Sequence, residues 1–308
     1  MTKWLTLSFV VLGAVSAQGQ GTSVASKETA ASPSESGVTD PVEAPVATAK
    51  TAAVASTSAP FAARQTAHLL PAGVSQWGIF GPYARGLKGG YELELRPLVF
   101  TLMASPNAVL RKSVHAQGLW TVAAEGGLSI PTLGMKMWQG GEDNPLPLPV
   151  SLYGRGDTIP WILVPRVGLI ASHGTQDADL LTLRADLTMA VPLGDGDFNA
   201  TEHWLLGLLL APVDTGYRAR LGVAYDRPIH ERIRLQTSID LYAHGAQPDS
   251  MRVLGKVGVE FAAWRAADGR WRRIGLGLGV LNSDTYAVNA ERQRVRSNDI
   301  FPLFDIVF

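Results

Sequence analysis

Apolar and polar side chains alternate with period two over long stretches of the chain, the repeat of an extended strand whose two faces meet different surroundings. In 181–191, Leu181, Leu183, Ala185, Leu187, Met189 and Val191 share one face, and Thr182, Arg184, Asp186 and Thr188 share the other. In 217–226, Tyr217, Ala219, Leu221, Val223 and Tyr225 oppose Arg218, Arg220, Gly222, Ala224 and Asp226. The stretches 233–242 and 253–261 obey the same rule. The pattern predicts ten antiparallel strands, at 91–100, 107–115, 119–129, 161–172, 180–191, 216–226, 233–243, 252–264, 272–281 and 299–308.

A soluble β-sandwich strand also has one apolar and one polar face. These segments are longer than the usual sandwich strand of about 5–6 residues and match the roughly 9–11 that a tilted strand needs to cross a bilayer. Tyr217 and Tyr225 stand about 27 Å apart along a strand, roughly 20 Å in height once tilted, close to the spacing of two aromatic girdles. The fold predicted is all-β, a closed antiparallel transmembrane barrel.

The last residues support this. Phe308, Ile306 and Phe304 lie at alternate positions, preceded in the same register by Pro302 and Ile300. This resembles the C-terminal insertion signal of Gram-negative outer-membrane β-barrel proteins, in which a terminal aromatic closes an amphipathic last strand. The resemblance implies recognition by the barrel-assembly machinery and residence in the outer membrane.

If the last strand ends in the periplasm, the ten-strand count makes 116–118, 173–179, 227–232 and 265–271 the periplasmic turns, all short. It makes 101–106, 130–160, 192–215, 244–251 and 282–298 the outer loops, as such barrels require. A twelve-strand alternative adds 74–82 and 203–211, but it puts 130–160 in the periplasm.

Composition sets the remaining boundaries. Lys3 followed by the apolar run from Trp4 to Val15 and the small residues Val15, Ser16 and Ala17 has the plan of a secretory signal peptide over 1–17. Segment 18–64 is Ala-, Ser-, Thr- and Pro-rich with no aromatic before Phe61. It reads as a disordered periplasmic tether. Residues 65–90 are left as a pre-barrel segment packed at or inside the periplasmic mouth, and 91–308 as the barrel. The absence of cysteine excludes disulfides, thiolate metal sites and a lipidated N-terminal cysteine. Balanced charge, 27 basic against 27 acidic residues, gives nucleic acid no electrostatic footing. No apolar run past residue 17 is long enough for a membrane helix.

The chemistry-bearing positions fall on the polar face. Glu92, Glu94, Arg96, Glu125, Arg166, Arg184, Asp186, Arg218, Arg220, Arg234, Asp240, Lys256, Glu260 and Arg273 are expected inside the barrel. In a narrow lumen such side chains meet across the bore and pair, because unpaired buried charge is costly. Gaps between the pairs would make a path for small solutes.

No nucleophile-elbow or metalloprotease motif is present, and Ser172 and His173 point to opposite faces. No catalytic or metal site is assigned and no cofactor is expected. Asp195, Asp197 and Asn199 have the spacing that opens a calcium loop, but Ala200 and Leu206 replace its glycine and glutamate. Arg292, Arg294 and Arg296 share the parity of Phe304 and Phe308, a placement from which they could meet phosphates of lipopolysaccharide. The expectation is an integral outer-membrane protein, structural or passing small solutes. The alternatives are an outer-membrane hydrolase acting on lipid or peptide, and a protein presenting its surface loops to an outside partner.

Overall fold

The structure of the protein is a computed structural model. It describes residues 64–137, 157–197, 216–244, 251–286 and 294–308, apart from 80, 98, 101–103 and 268, together with Gln139 and Val213. The expected segment 1–17, the expected tether 18–64 apart from Arg64, the strand 203–211, and Asn199, Ala200, Leu206 and Arg292 lie outside the described residues.

One antiparallel sheet carries thirteen strands. In chain order these are β1 (Ser75–Trp77), β2 (Tyr83–Leu87), β3 (Tyr91–Leu95), β4 (Asn107–Gln117), β5 (Trp120–Ser129), β6 (Trp161–Gly174), β7 (Leu180–Met189), β8 (Val191–Leu193), β9 (Tyr217–His230), β10 (Ile233–His244), β11 (Arg252–Arg265), β12 (Trp271–Tyr286) and β13 (Arg294–Val307). Strands β7 and β8 both pair with β6 and are separated only by Ala190, so they act as one interrupted strand. The remaining order is strictly neighbour to neighbour, from β1 to β13.

The two ends of that path meet. Trp77 and Ile79 donate their backbone N–H groups to the carbonyls of Phe308 and Ile306 at 3.1 and 3.0 Å, and Phe308 donates back to Trp77 at 2.7 Å. Closure satisfies backbone groups that an open sheet would leave exposed. The ring therefore has twelve strand positions.

The expected count of ten is corrected by this ring. Strands β1 and β2 form a hairpin within 65–90, the stretch expected to precede the barrel. The twelve-strand alternative has the right number and its 74–82 covers β1, but the ring reaches twelve with β2 and not through 203–211. A hairpin adds two strands, so the parity and sidedness of everything after it are unchanged. The expected strand 91–100 stops at Leu95. Pro97 cannot donate to the ladder, and the chain instead makes a helical turn in which Phe100 N–H donates to the Arg96 carbonyl at 3.0 Å.

Polarity is inverted relative to a water-soluble barrel. On the outer face Ile300 is 71% exposed and Leu221 61%, whereas inside Arg234 and Glu94 are each 1% exposed. Turns at the Phe308 rim are tight. Gly89, Gly90 and Gly118 adopt positive φ there, which costs glycine nothing. Long connections all leave from the opposite rim. One of them carries the short helix α1 (Thr132–Met137). Met135 of α1 packs on Ile159, Ile162 and Val164, and Thr132 Oγ1 donates to the Pro160 carbonyl and accepts from Ile162 N–H at 3.1 and 2.7 Å.

Candidate functional site in the barrel lumen

Along the central stretches of the long strands alternate side chains project inward, and the charged ones assemble by register. Arg111 on β4 stands opposite Glu125 on β5, and Asp186 on β7 stands opposite Arg220 on β9. Gly168 lies between Glu125 and Asp186. A Cβ at Gly168 would sit 2.8 Å from both Glu125 Oε1 and Asp186 Cβ. The bare backbone there lets Arg166 reach both carboxylates from the same strand.

The result is a continuous girdle of alternating sign across six strands. Arg96 meets Glu94 at 3.2 Å, and Arg111 meets Glu92, Glu94 and Glu125 at 3.1, 2.6 and 3.3 Å. Glu125 then pairs with Arg166, Arg166 with Asp186 at 3.4 Å, and Asp186 with Arg220 at 2.5 Å. Each interior member has an opposite charge on both sides, which offsets the desolvation of burial.

The other half of the ring is paired more loosely. Lys256 lies 3.5 Å from Asp240, Arg273 lies 2.9 Å from Glu260, and Arg234 lies 3.6 Å from Asp226. Gln236 donates to Glu260 at 2.9 Å. Arg218 lies over the Tyr242 ring, 5.7 Å from its centroid. Small inward residues on this side, Gly222, Ala224, Ser238, Gly258, Gly275 and Gly277, help line a cavity of about 370 Å³.

Residues 64–70 lie inside the bore near the short-turn rim. Arg64 pairs with Asp305 on β13. Arg184 donates to both the side-chain and backbone oxygens of Gln65. Ala67 N–H donates to Ser172 Oγ at 2.9 Å, His68 Nε2 meets the Gly174 carbonyl at 3.2 Å, and Leu70 N–H donates to Glu92 at 2.9 Å. Ala67 packs with Ala123 and Ile170. The backbone of Leu70 and Pro71 passes so close over Gly86 that a Cβ there would strike it. Burial holds the His68 imidazole below its ordinary value, partly opposed by its bond to Gly174.

Sequence reasoning left four members of this interior out of its site. Arg111 shares β4 with Lys112, which has the opposite parity and stacks over Tyr91 at 5.0 Å, so two adjacent cations blurred the face. Asp226 carried the interior parity, a usable signal. Arg64 and Asp305 meet only through a contact between the two ends of the described chain.

Ser172, His173, His230 and His244 are engaged separately. His173 packs against Trp120 outside the barrel, with centroids 4.9 Å apart and the rings tilted by 57°. Ser172 Oγ is inside, 3.0 Å from Thr182 Oγ1. His230 accepts from Arg232 N–H at 3.4 Å, and His244 is buried opposite Arg218. Among the described residues no group of three or more His, Asp or Glu is arranged to hold a metal ion. Arg294 and Arg296 lie on β13 opposite Tyr286 and Asp284.

Neighbour-to-neighbour antiparallel order, ring closure, an apolar outside and a charged bore define the class: a β-barrel built on the plan of outer-membrane proteins. Among solved structures the chain is similar to OmpT of Vibrio cholerae in two forms. Against the outer-membrane expressed form the TM-score is 0.39 with 12% identity, covering 73% of this chain and 62% of that one. The chain thus spans less than two thirds of that protein's length. Against the in-vitro folded form the TM-score is 0.38 with 11% identity, covering 82% of this chain and 72% of that one. No protein-family model and no curated protein matches the chain.

Proposed function

We propose that this protein is an integral outer-membrane barrel of a Gram-negative bacterium whose bore is closed to all but small solutes. The observation that carries the reading is the inverted polarity. Leu169, Leu183, Leu221, Val223, Ile239, Leu276, Leu278 and Ile300 form an exposed apolar belt. In water such a belt would be a large aggregation-prone patch, whereas in hydrocarbon it costs nothing. Aromatic and cationic groups mark its lower edge, where Arg272 lies over Phe308 and Arg232 over Trp271, at 5.8 and 4.9 Å from the ring centroids. The amphipathic rings of such residues suit the headgroup level.

Restriction of the bore follows from what fills it. The ion-pair girdle occupies the β3–β9 side, residues 64–70 cross the short-turn mouth, and α1 packs on Ile162 and Val164 of β6 at the other end. Among the described residues the cavity beside β9–β13, about 370 Å³, is of metabolite size.

The test is electrophoretic mobility of the detergent-purified protein with and without boiling, followed by planar-bilayer conductance. A boiling-dependent shift with small or absent unit conductance is expected. No shift, with solubility in the absence of detergent, overturns the membrane reading, and a large steady conductance overturns the restricted bore.

A further inference from the structure

The cavity beside β9–β13 has walls whose charges are not equally matched. Three carboxylates line it, and each has a cation: Asp305 has Arg64, Asp240 has Lys256 and Asp226 has Arg234. Arg184 also lines it, and among the described residues its hydrogen bonds go to the neutral oxygens of Gln65. Among the described residues Arg184 makes no ion pair, and its Nε is buried without a hydrogen-bond partner. A guanidinium cannot shed its charge as a lysine can, so burial leaves it in need of an anion.

Register explains why the need is not met from within. Arg184 faces Gly222 on β9, and Gly222 faces Asp240 on β10. The Asp240 carboxylate leans over Gly222, into the space a Cβ would take. It is thereby set between Arg184 and Lys256, but its ion pair is to Lys256. Two cations thus share the field of one carboxylate on one wall of the cavity, with Gln236 and Ser238 beside them as neutral donors.

We infer that this cavity is a binding site for a small organic carboxylate, held by the Arg184 guanidinium with Lys256 adding positive field. Nη1 and Nη2 of Arg184 each give one N–H to Gln65 and have one left, and a planar carboxylate suits those remaining guanidinium donors better than a spherical halide does. The volume of about 370 Å³ lies at the lower end of ordinary small-molecule sites. It takes a compact metabolite with a few waters and excludes chains. The inference deepens the reading of the bore as a small-solute path and rests on it.

Titration calorimetry on the full chain folded in detergent, with succinate, inorganic phosphate and glucose as separate probes, tests the site. Two variants are compared after each is shown to keep the wild-type boiling shift: Arg184→Gln, which removes the fork, and Ser238→Leu, which fills the cavity and leaves Arg184 in place. Succinate binding that weakens at least tenfold in both variants, with no response to glucose, is the expected result. Absence of succinate binding to the wild-type barrel, or unchanged binding in Arg184→Gln, overturns the site. Phosphate bound with succinate excluded overturns the carboxylate assignment. Because the boiling shift is read on the same preparations, failure of the site is distinguished from failure of the barrel.

Discussion

Replacing Arg111 with methionine removes the branch point of the girdle. Its side chain is 5% exposed and contacts Glu92, Glu94 and Glu125 at 3.1, 2.6 and 3.3 Å. Methionine keeps much of the volume, so the loss is electrostatic. After substitution Glu94 retains Arg96 and Glu125 retains Arg166. Glu92 is left with the Leu70 N–H alone. Breaking a buried pair by removing one partner costs about 3–5 kcal/mol. With a guanidinium dependence of a few kcal/mol per molar, the unfolding midpoint falls by roughly 1 M. Equilibrium unfolding in detergent, followed by tryptophan fluorescence, reads this shift. Arg96→Met is the control. Arg96 pairs with Glu94 from a side chain that is 36% exposed, and a pair of that kind is worth about 0–1 kcal/mol. Neutralising the stranded acids in Glu92→Gln/Glu94→Gln/Arg111→Met should recover part of the loss. A midpoint for Arg111→Met within roughly 0.2 M of wild type would be too small for a buried pair of this kind and would refute the girdle as a structural element.

Other consequences follow from the same contacts. Gly222→Val places a Cβ on the Asp240 carboxylate; the folded, boiling-sensitive fraction should drop severalfold, whereas Gly126→Val, which meets nothing nearby, should leave it unchanged. Replacing residues 64–70 with a Gly-Ser spacer removes the contacts to Asp305, Arg184, Ser172, Gly174 and Glu92, and should raise bilayer conductance at least severalfold over wild type. Burial depresses the His68 pKa, so a detached segment binds a proton more readily than the docked one. Docking should therefore weaken as pH falls through the free-histidine value of about 6.5, seen as faster protease cleavage near residue 68 at pH 5 than at pH 7.5. In His68→Gln that pH dependence should be lost.

The long strands were legible because a two-residue period leaves only two faces, and one of them here is uninterrupted by charge from Leu181 to Met189. The same parity places Arg166, Arg184, Arg220 and Asp240 on the interior side of their strands. What each of them touches was not legible, because pairing depends on register between strands and on gaps such as Gly168 and Gly222 that admit a neighbour's side chain. The hairpin of β1 and β2 was hidden by its brevity. Gly78, Gly81, Pro82 and Gly86 read locally as a loop, and the strand identity of Trp77 comes from bonds to Phe308 at the other end of the chain. The occupation of the bore by residues 64–70 has no periodic signal either. It rests on single polar contacts made by an irregular segment.

The central claim is that the even-numbered side chains of β7 face the bore and the odd-numbered ones face lipid. The chain contains no cysteine, so single cysteines introduced at each position from 182 to 187 can carry a spin label without background. In lipid vesicles, labels at 183, 185 and 187 should collide readily with oxygen and weakly with a water-soluble nickel chelate. Those at 182, 184 and 186 should be restricted and poorly accessible to oxygen. Alternation with the two reagents reversed, or no alternation across the six positions, would contradict a membrane barrel.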